Sequence, residues 1–316
     1  MAHFAQWPTH RPDQATSTGA PQLNSAAVQQ VRRLVWKMAI ATFILMAIGS
    51  ATRVMNAGLA CPDWPLCYGT LIPTQQMNLQ VFLEWIHRLD ASLIGLMAIA
   101  LVALSWRRRL VLPQWLPWAS LGALALVLVQ GLLGGLTVTQ LLRFDIVTAH
   151  LGTALLFFIT LLTIGLLLLP APAVQPRRPL LLPAVSLTAV ALIYAQSLSG
   201  GLVGSQWALH QCLQLTQLCS VVNIHLLGVI PTSIAVVTAV ALGWQLETRL
   251  ARAAAALLVA QIFLGTATFR LHLQVELLTI SHQVVAAALL GSLVCIAVRS
   301  LQAAQAGGFA SETLAR

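Results

Sequence analysis

Residues 179–246 read PLLLPAVSLTAVALIYAQSLSGGLVGSQWALHQCLQLTQLCSVVNIHLLGVIPTSIAVVTAVALGWQL, without a single Asp, Glu, Lys or Arg. One bilayer crossing takes about 20 apolar residues in an α-helix, so this run is too long for one span. The polar insert Ser205–Ser220 divides it into two crossings at 181–203 and 222–243. Outward from there, the same reading gives segments at 33–54, 84–106, 114–138 and 146–169 on one side and 253–271 and 277–299 on the other. All are rich in Leu and Ala and lack the period-two alternation of a membrane strand. The expected fold is an all-α polytopic membrane protein with eight transmembrane helices.

Composition agrees. The 316 residues are 58% hydrophobic and 8% charged, against about 25% charged in an average soluble domain. A soluble globule could not hide that much apolar surface, and a disordered or fibrous chain would not carry it. The net charge of +9 does not point to nucleic acid, because the basic residues stand singly or in short runs between apolar segments. They act as topology signals. With the N-terminus inside, all of the 17 Lys and Arg except Arg53, Arg88, Arg143 and Arg270 fall on inner loops and tails. The positive-inside rule therefore expects both termini in the cytoplasm.

The polar residues 1–30 lack the apolar core of a signal peptide and read as a disordered cytoplasmic tail, which leaves the first helix as the insertion signal. Residues 31–170 form an expected N-terminal four-helix bundle with a long outer loop at 55–83. A cytoplasmic linker at 171–180, a C-terminal four-helix bundle at 181–300 and a cytoplasmic tail at 301–316 follow. An internal repeat relates the bundles. Gln130-Gly-Leu-Leu-Gly134-Gly-Leu-Thr137 resembles Gln261-Ile-Phe-Leu-Gly265-Thr-Ala-Thr268. Both copies enter from the same side, so the two bundles are expected to be pseudo-symmetric about an axis along the membrane normal.

Four histidines carry the chemistry. His87, His150, His225 and His282 each lie within the first turn or two of an even-numbered segment, two per repeat and near the outer face. A single histidine there could simply hydrogen-bond between helices. Four at matching positions point to function, since ionisable groups inside membranes are usually functional. Neutral imidazole is a strong iron ligand, and two from facing helices can hold a haem within a bundle. Gly152 and Gly228, close behind His150 and His225, are small enough to admit a flat macrocycle. Anionic propionates near the start of an even helix would meet its positive dipole end. The four outer arginines are candidate propionate partners, Arg88 foremost, with interfacial anchoring as the plain alternative. Zinc would need four converging N or S ligands. A di-iron carboxylate site would need a second Glu-x-x-His beside Glu84-x-x-His87, and the matching position before His225 is Val222. His210 and His272 read as interfacial.

Glu84, three residues before His87, shares its helix face and could move a proton or stabilise developing positive charge. Only the first repeat has this carboxylate, so one His pair is expected to be reactive and the other structural or electron-transferring. Pairing with Arg88 or Arg143 is the plain reading of Asp90 and Asp145. Cys61 and Cys67 in the first outer loop read equally as a staple or a redox-active pair. Cys212 and Cys219 in the matching second loop read as a staple on the oxidising side, and Cys295 as a buried thiol.

At these residues the chain resembles the heme A synthase family. The motifs are Gly58-Leu-Ala-Cys61-Pro-Asp-Trp-Pro-Leu-Cys67-Tyr-Gly69, Glu84-Trp-Ile-His87-Arg88, Thr148-Ala-His150-Leu-Gly152, Asn223-Ile-His225 and Ser281-His282-Gln283, within about 35–300. The resemblance implies haem b held by His225 and His282, and haem O as substrate between His87 and His150. It also implies oxidation of the haem O C8 methyl to a formyl group through an alcohol, Glu84 as the required carboxylate, and disulfides Cys61–Cys67 and Cys212–Cys219. Expected partners are a haem O synthase, a terminal oxidase assembly pathway and a quinone or other electron acceptor, in the cell membrane with the haem sites toward the outer side. Two other readings compete: a di-haem electron-transfer cytochrome without substrate chemistry, and a thiol oxidoreductase built on Cys61 and Cys67.

Overall fold

The computed structural model describes residues 25–174, 180–204 and 219–314, without the side chains of Cys219 and 307–314. The described residues form eight helices: α1 (Ala26–Val54), α2 (Leu79–Arg107), α3 (Leu116–Thr139), α4 (Phe144–Leu167), α5 (Leu181–Val203), α6 (Cys219–Gly243), α7 (Thr248–Arg270) and α8 (Glu276–Leu314). All eight are long and apolar enough to cross a membrane. Helices suit that setting because each satisfies its own backbone groups where no water is available.

Helix ends fall where caps are, and so do not coincide with the edges of apolar runs. Ser25 accepts a hydrogen bond from Val28 N, which starts α1 inside the stretch read as a tail. Asn78 accepts from Val81 N at 2.9 Å and starts α2 five residues before the apolar segment read from 84. This corrects the position of His87, which lies in the third turn of α2. The outer loop correspondingly ends at 78. α7 begins at Thr248, ahead of the expected 253, because a helix carries Arg249 and Arg252 as readily as Leu. α8 continues to Leu314, past the expected end at 299. Linker residues 175–179 and the second outer loop, with His210 and Cys212, lie outside the described residues, as does the side chain of Cys219.

Within the first half, α1 packs on α2 and α4, and α3 on α2 and α4. Within the second, α5 packs on α6 and α8, and α7 on α6 and α8. Each half thus closes a ring of four helices, and the two cores run across the boundary, with Val294 and Val298 of α8 in the first and Leu155 of α4 in the second. Met38, Ile94, Leu116 and Phe157 centre the first core; Leu182, Val236, Leu258 and Leu290 centre the second. The halves meet through α1, α4, α5 and α8. Burial of apolar surface cannot drive this contact in lipid; close packing at small residues and hydrogen bonds between helices hold it, among them Tyr194 OH donating to Gly152 O at 3.3 Å. Gly152 lies against Leu198 and Tyr194, Gly201 against Leu151, and Gly291 against Phe158. Exposed Ile40, Ile44, Leu93 and Leu96 are suited to facing lipid.

The repeat seen in the sequence recurs in backbone detail. After α3, Leu141 and Leu142 take positive φ, and Leu142 N donates to Thr137 O at 2.7 Å. After α7, His272 and Leu273 do the same, and Leu273 N donates to Thr268 O at 3.0 Å. His272 is thus a turn residue, exposed to the surroundings.

Candidate functional site

The structure brings the first histidine pair together. The rings of His87 and His150 stand 6.4 Å apart between centroids, inclined at 64°. A ligating imidazole nitrogen sits about 2 Å from its metal, and the ring centre about 1.1 Å behind that, so two trans imidazoles on one ion stand roughly 6 Å apart. The separation therefore fits one metal between them. In the second half, His225 and His282 lie close enough to interact electrostatically. Among the described residues, no three or more His, Cys, Asp or Glu side chains converge as a metal site. A metal held by a histidine pair would bring its own equatorial ligands, as an iron porphyrin does.

Each imidazole rests on a glycine of the preceding odd helix. A Cβ on Gly49 would lie 2.8 Å from the His87 ring, on Gly134 3.3 Å from His150, on Gly200 3.0 Å from His225 and on Gly265 2.8 Å from His282. Gly152 and Gly228 were expected to make room for the macrocycle; instead they admit Tyr194 with Leu198, and Gln196. The sequence carried a usable signal for three of the true seats, because Gln130, Gln196 and Gln261 each precede a seat glycine by four residues. Gln130 Nε2 donates to His150 O at 3.0 Å and Gln196 Nε2 to His225 O at 2.9 Å, tying the seat helix to the ligand helix. The Nε2 atoms of Gln261 and His282 lie 3.4 Å apart, and Ser199 Oγ lies 2.9 Å from His225 Nδ1. A backbone carbonyl also lies at each ring, that of Leu45 at His87, Gln130 at His150, Gln196 at His225 and Gln261 at His282, four residues before each seat glycine. Paired rings on small seats fit a bis-imidazole haem site.

Substituting Gly265 by alanine tests the seats. At 2.8 Å the new methyl would overlap the His282 ring, which must swing away. The expected result is a several-fold loss of bound haem in a protein that still inserts, read by absorption per mole of protein. Unchanged haem content would show that the seat does not set the ring.

Above the first pair, loop 55–78 is clamped to α2. Cys61 and Cys67 form a disulfide, with Cα atoms 4.7 Å apart. Glu84 is buried, only 3% exposed. Its Oε2 accepts from Cys61 N at 2.7 Å and its Oε1 from Arg88 Nη2 at 2.5 Å. Arg88 also donates to the carbonyls of Asp63, Leu66 and Cys61. Both terminal nitrogens of Arg88, the foremost candidate for a propionate, are thus committed to the loop. Arg88 pairs with Glu84 rather than Asp90, whereas the expected Arg143–Asp145 pair is present, exposed, at 2.6 Å. Arg270 is exposed at the end of α7, and Arg53 reaches into the other half. Asp63 closes the loop turn, accepting from Tyr68 N and Gly69 N. The Gly69 N–H, then that of Tyr68 and the Arg88 charge, hold its carboxyl below the usual carboxylate range. The turn is therefore supported above that range and loses this support as pH falls toward the depressed value. Trp64 lies against Gly135, beside the His150 seat, so the loop reaches from α2 to α3.

Similarity to known proteins agrees with this geometry. The model of the COX15-CtaA family, described as cytochrome oxidase assembly protein, matches residues 32–294. A Heme A synthase of Shewanella oneidensis is 31% identical over 211 residues, 58% of this chain and 60% of that protein. One of Rhodospirillum centenum is 30% identical over 232 residues, covering 60% and 61%. One of Geobacillus kaustophilus is 36% identical over 157 residues, covering 47% and 44%. Each of these matches spans less than two thirds of the relative's own length. With a family match over nearly all the helical part of the chain, and eight helices able to span a bilayer, this multi-pass membrane protein belongs to the COX15-CtaA family of cytochrome oxidase assembly proteins.

Proposed function

We propose that the chain is a heme A synthase: it oxidises the C8 methyl group of haem O to a formyl group, making haem A for terminal oxidases. The 6.4 Å approach of the His87 and His150 rings, beneath a loop pinned to a buried carboxylate, carries this reading. In it, His87 and His150 hold haem O as substrate, and His225 and His282 hold a resident haem b. Both termini lie in the cytoplasm and both sites toward the outer side of the cell membrane.

When bound, the iron porphyrins supply the oxidising and electron-carrying chemistry. The chain supplies position. Gly49 and Gly134 let the two ligand rings approach their seat helices and so fix the plane of the substrate. Glu84, on the His87 face of α2, offers its carboxylate oxygens to accept a proton as the methyl group is oxidised. Arg88 orients that carboxylate from one side and Cys61 N–H from the other. The disulfide holds Cys61 in place for this contact, and the loop shields the reacting end from water. In the second loop, the expected Cys212–Cys219 disulfide belongs to the same proposal. A di-haem electron carrier would account for the paired imidazoles but has no use for Glu84 held in this way.

Expression in a host that makes haem O but no haem A tests the proposal. Chromatography of extracted pigments should show haem A, with some alcohol intermediate. Haem O left wholly unconverted beside a normally inserted, haem-loaded protein would refute it.

A further inference from the structure

The outer end of α1 serves both histidine pairs. Gly49 seats His87 of the first pair. The next residue, Ser50, donates from Oγ to Gln283 Oε1 at 2.5 Å, and Gln283 adjoins His282. One turn on, Arg53 donates from Nη2 to Gly201 O at 3.1 Å, and Gly201 adjoins Gly200, the seat of His225. A helix of the first half therefore touches the supports of both imidazoles of the second pair.

Arg53 is half-buried between the two halves. Among the described residues no carboxylate pairs with it: Glu84 is taken by Arg88, Asp145 by Arg143 and Glu247 by Arg299. A carbonyl at the end of α5 is a favourable neighbour for a cation but does not neutralise it. A cation within a membrane protein that lacks a counter-ion is costly and marks a functional position.

We infer that Arg53, although it belongs to the first half, is the cationic partner of the second site, where it pairs with a carboxylate of the anionic tetrapyrrole held by His225 and His282. The inference rests on the haem reading above and adds which site Arg53 serves. It has an electrostatic consequence. A fixed positive charge disfavours the oxidised, more positive iron centre, so Arg53 raises the reduction potential of that haem. Ser50 and Gln283 hold α1 and α8 in the register this requires.

Redox titration of the purified haem-loaded protein tests it. Arg53→Gln should keep the bis-imidazole spectrum and lower the potential. At a fixed ambient potential the oxidised-to-reduced ratio should rise about tenfold, or 59 mV for a one-electron couple. Arg53→Lys, which keeps the charge, should restore most of the shift. Gly204→Ala supplies an independent arm, because its new Cβ would lie 2.5 Å from Arg53 Nη2 and push the guanidinium aside. It should move the potential the same way by a smaller amount, and it decides the matter if Arg53→Gln does not accumulate. An unmoved potential in Gly204→Ala and in any Arg53→Gln protein obtained would overturn the inference. Absence of any bis-imidazole haem from the unmutated protein would instead refute the haem reading itself, and the inference with it.

Discussion

Substitution of His225 by alanine is expected to give a protein without the absorption of a bis-imidazole haem b. Ser199 Oγ at Nδ1 holds this ring from the side, Gln196 holds its backbone carbonyl, and Gly200 lies beneath it. Removing one outer support of a metal ligand costs about 10–100-fold in affinity, and removing the ligand itself exceeds that. Haem affinity should fall by more than about 100-fold. Thermal stability should fall with it, because a ligand that binds only the folded state stabilises that state. A haemochrome assay and a thermal melt on the same preparation check both outcomes. A low-spin six-coordinate spectrum surviving in His225→Ala would remove His225 from the site.

The second large effect is expected at Glu84. Alanine there would leave Arg88 without its partner and Cys61 N without an acceptor, so loop and chemistry would fail together. Glutamine disturbs the loop less, because either Arg88 or Cys61 N keeps an acceptor while the other meets the amide NH2. It keeps the shape and one acceptor oxygen but cannot accept a proton as a carboxylate does. Positioned acid–base groups contribute about 10²–10⁴-fold. Glu84→Gln should therefore retain haem b and the Cys61–Cys67 disulfide, while conversion of haem O drops by at least about 100-fold. Pigment chromatography measures the conversion, and thiol trapping reports the loop. Normal haem A yield from Glu84→Gln would show that the carboxylate holds the loop and does no chemistry.

Both expectations start from residues visible in the chain alone. The apolar segments, the four histidines and the Gln-x-x-x-Gly repeat around Gly134 and Gly265 are local features, and each reports on its own helix. Gly49 has no such pattern before it; a glycine becomes a seat only when a ring from another helix meets it. Arg88 and Arg53 are both outer arginines by sequence, with Arg88 the foremost propionate candidate. One turns into the loop and the other crosses to the second half, according to which carbonyls surround them.

The amino-acid order alone determined that this chain carries eight segments long and apolar enough to cross a membrane and four histidines at recurring positions, because hydropathy and spacing are properties of contiguous residues. Tertiary structure decided that His87 meets His150, that Glu84 is spoken for by Cys61 and Arg88, and that α1 reaches both sites. Those facts depend on how helices distant in the chain pack at small residues, and in lipid that packing follows from shape rather than from hydropathy.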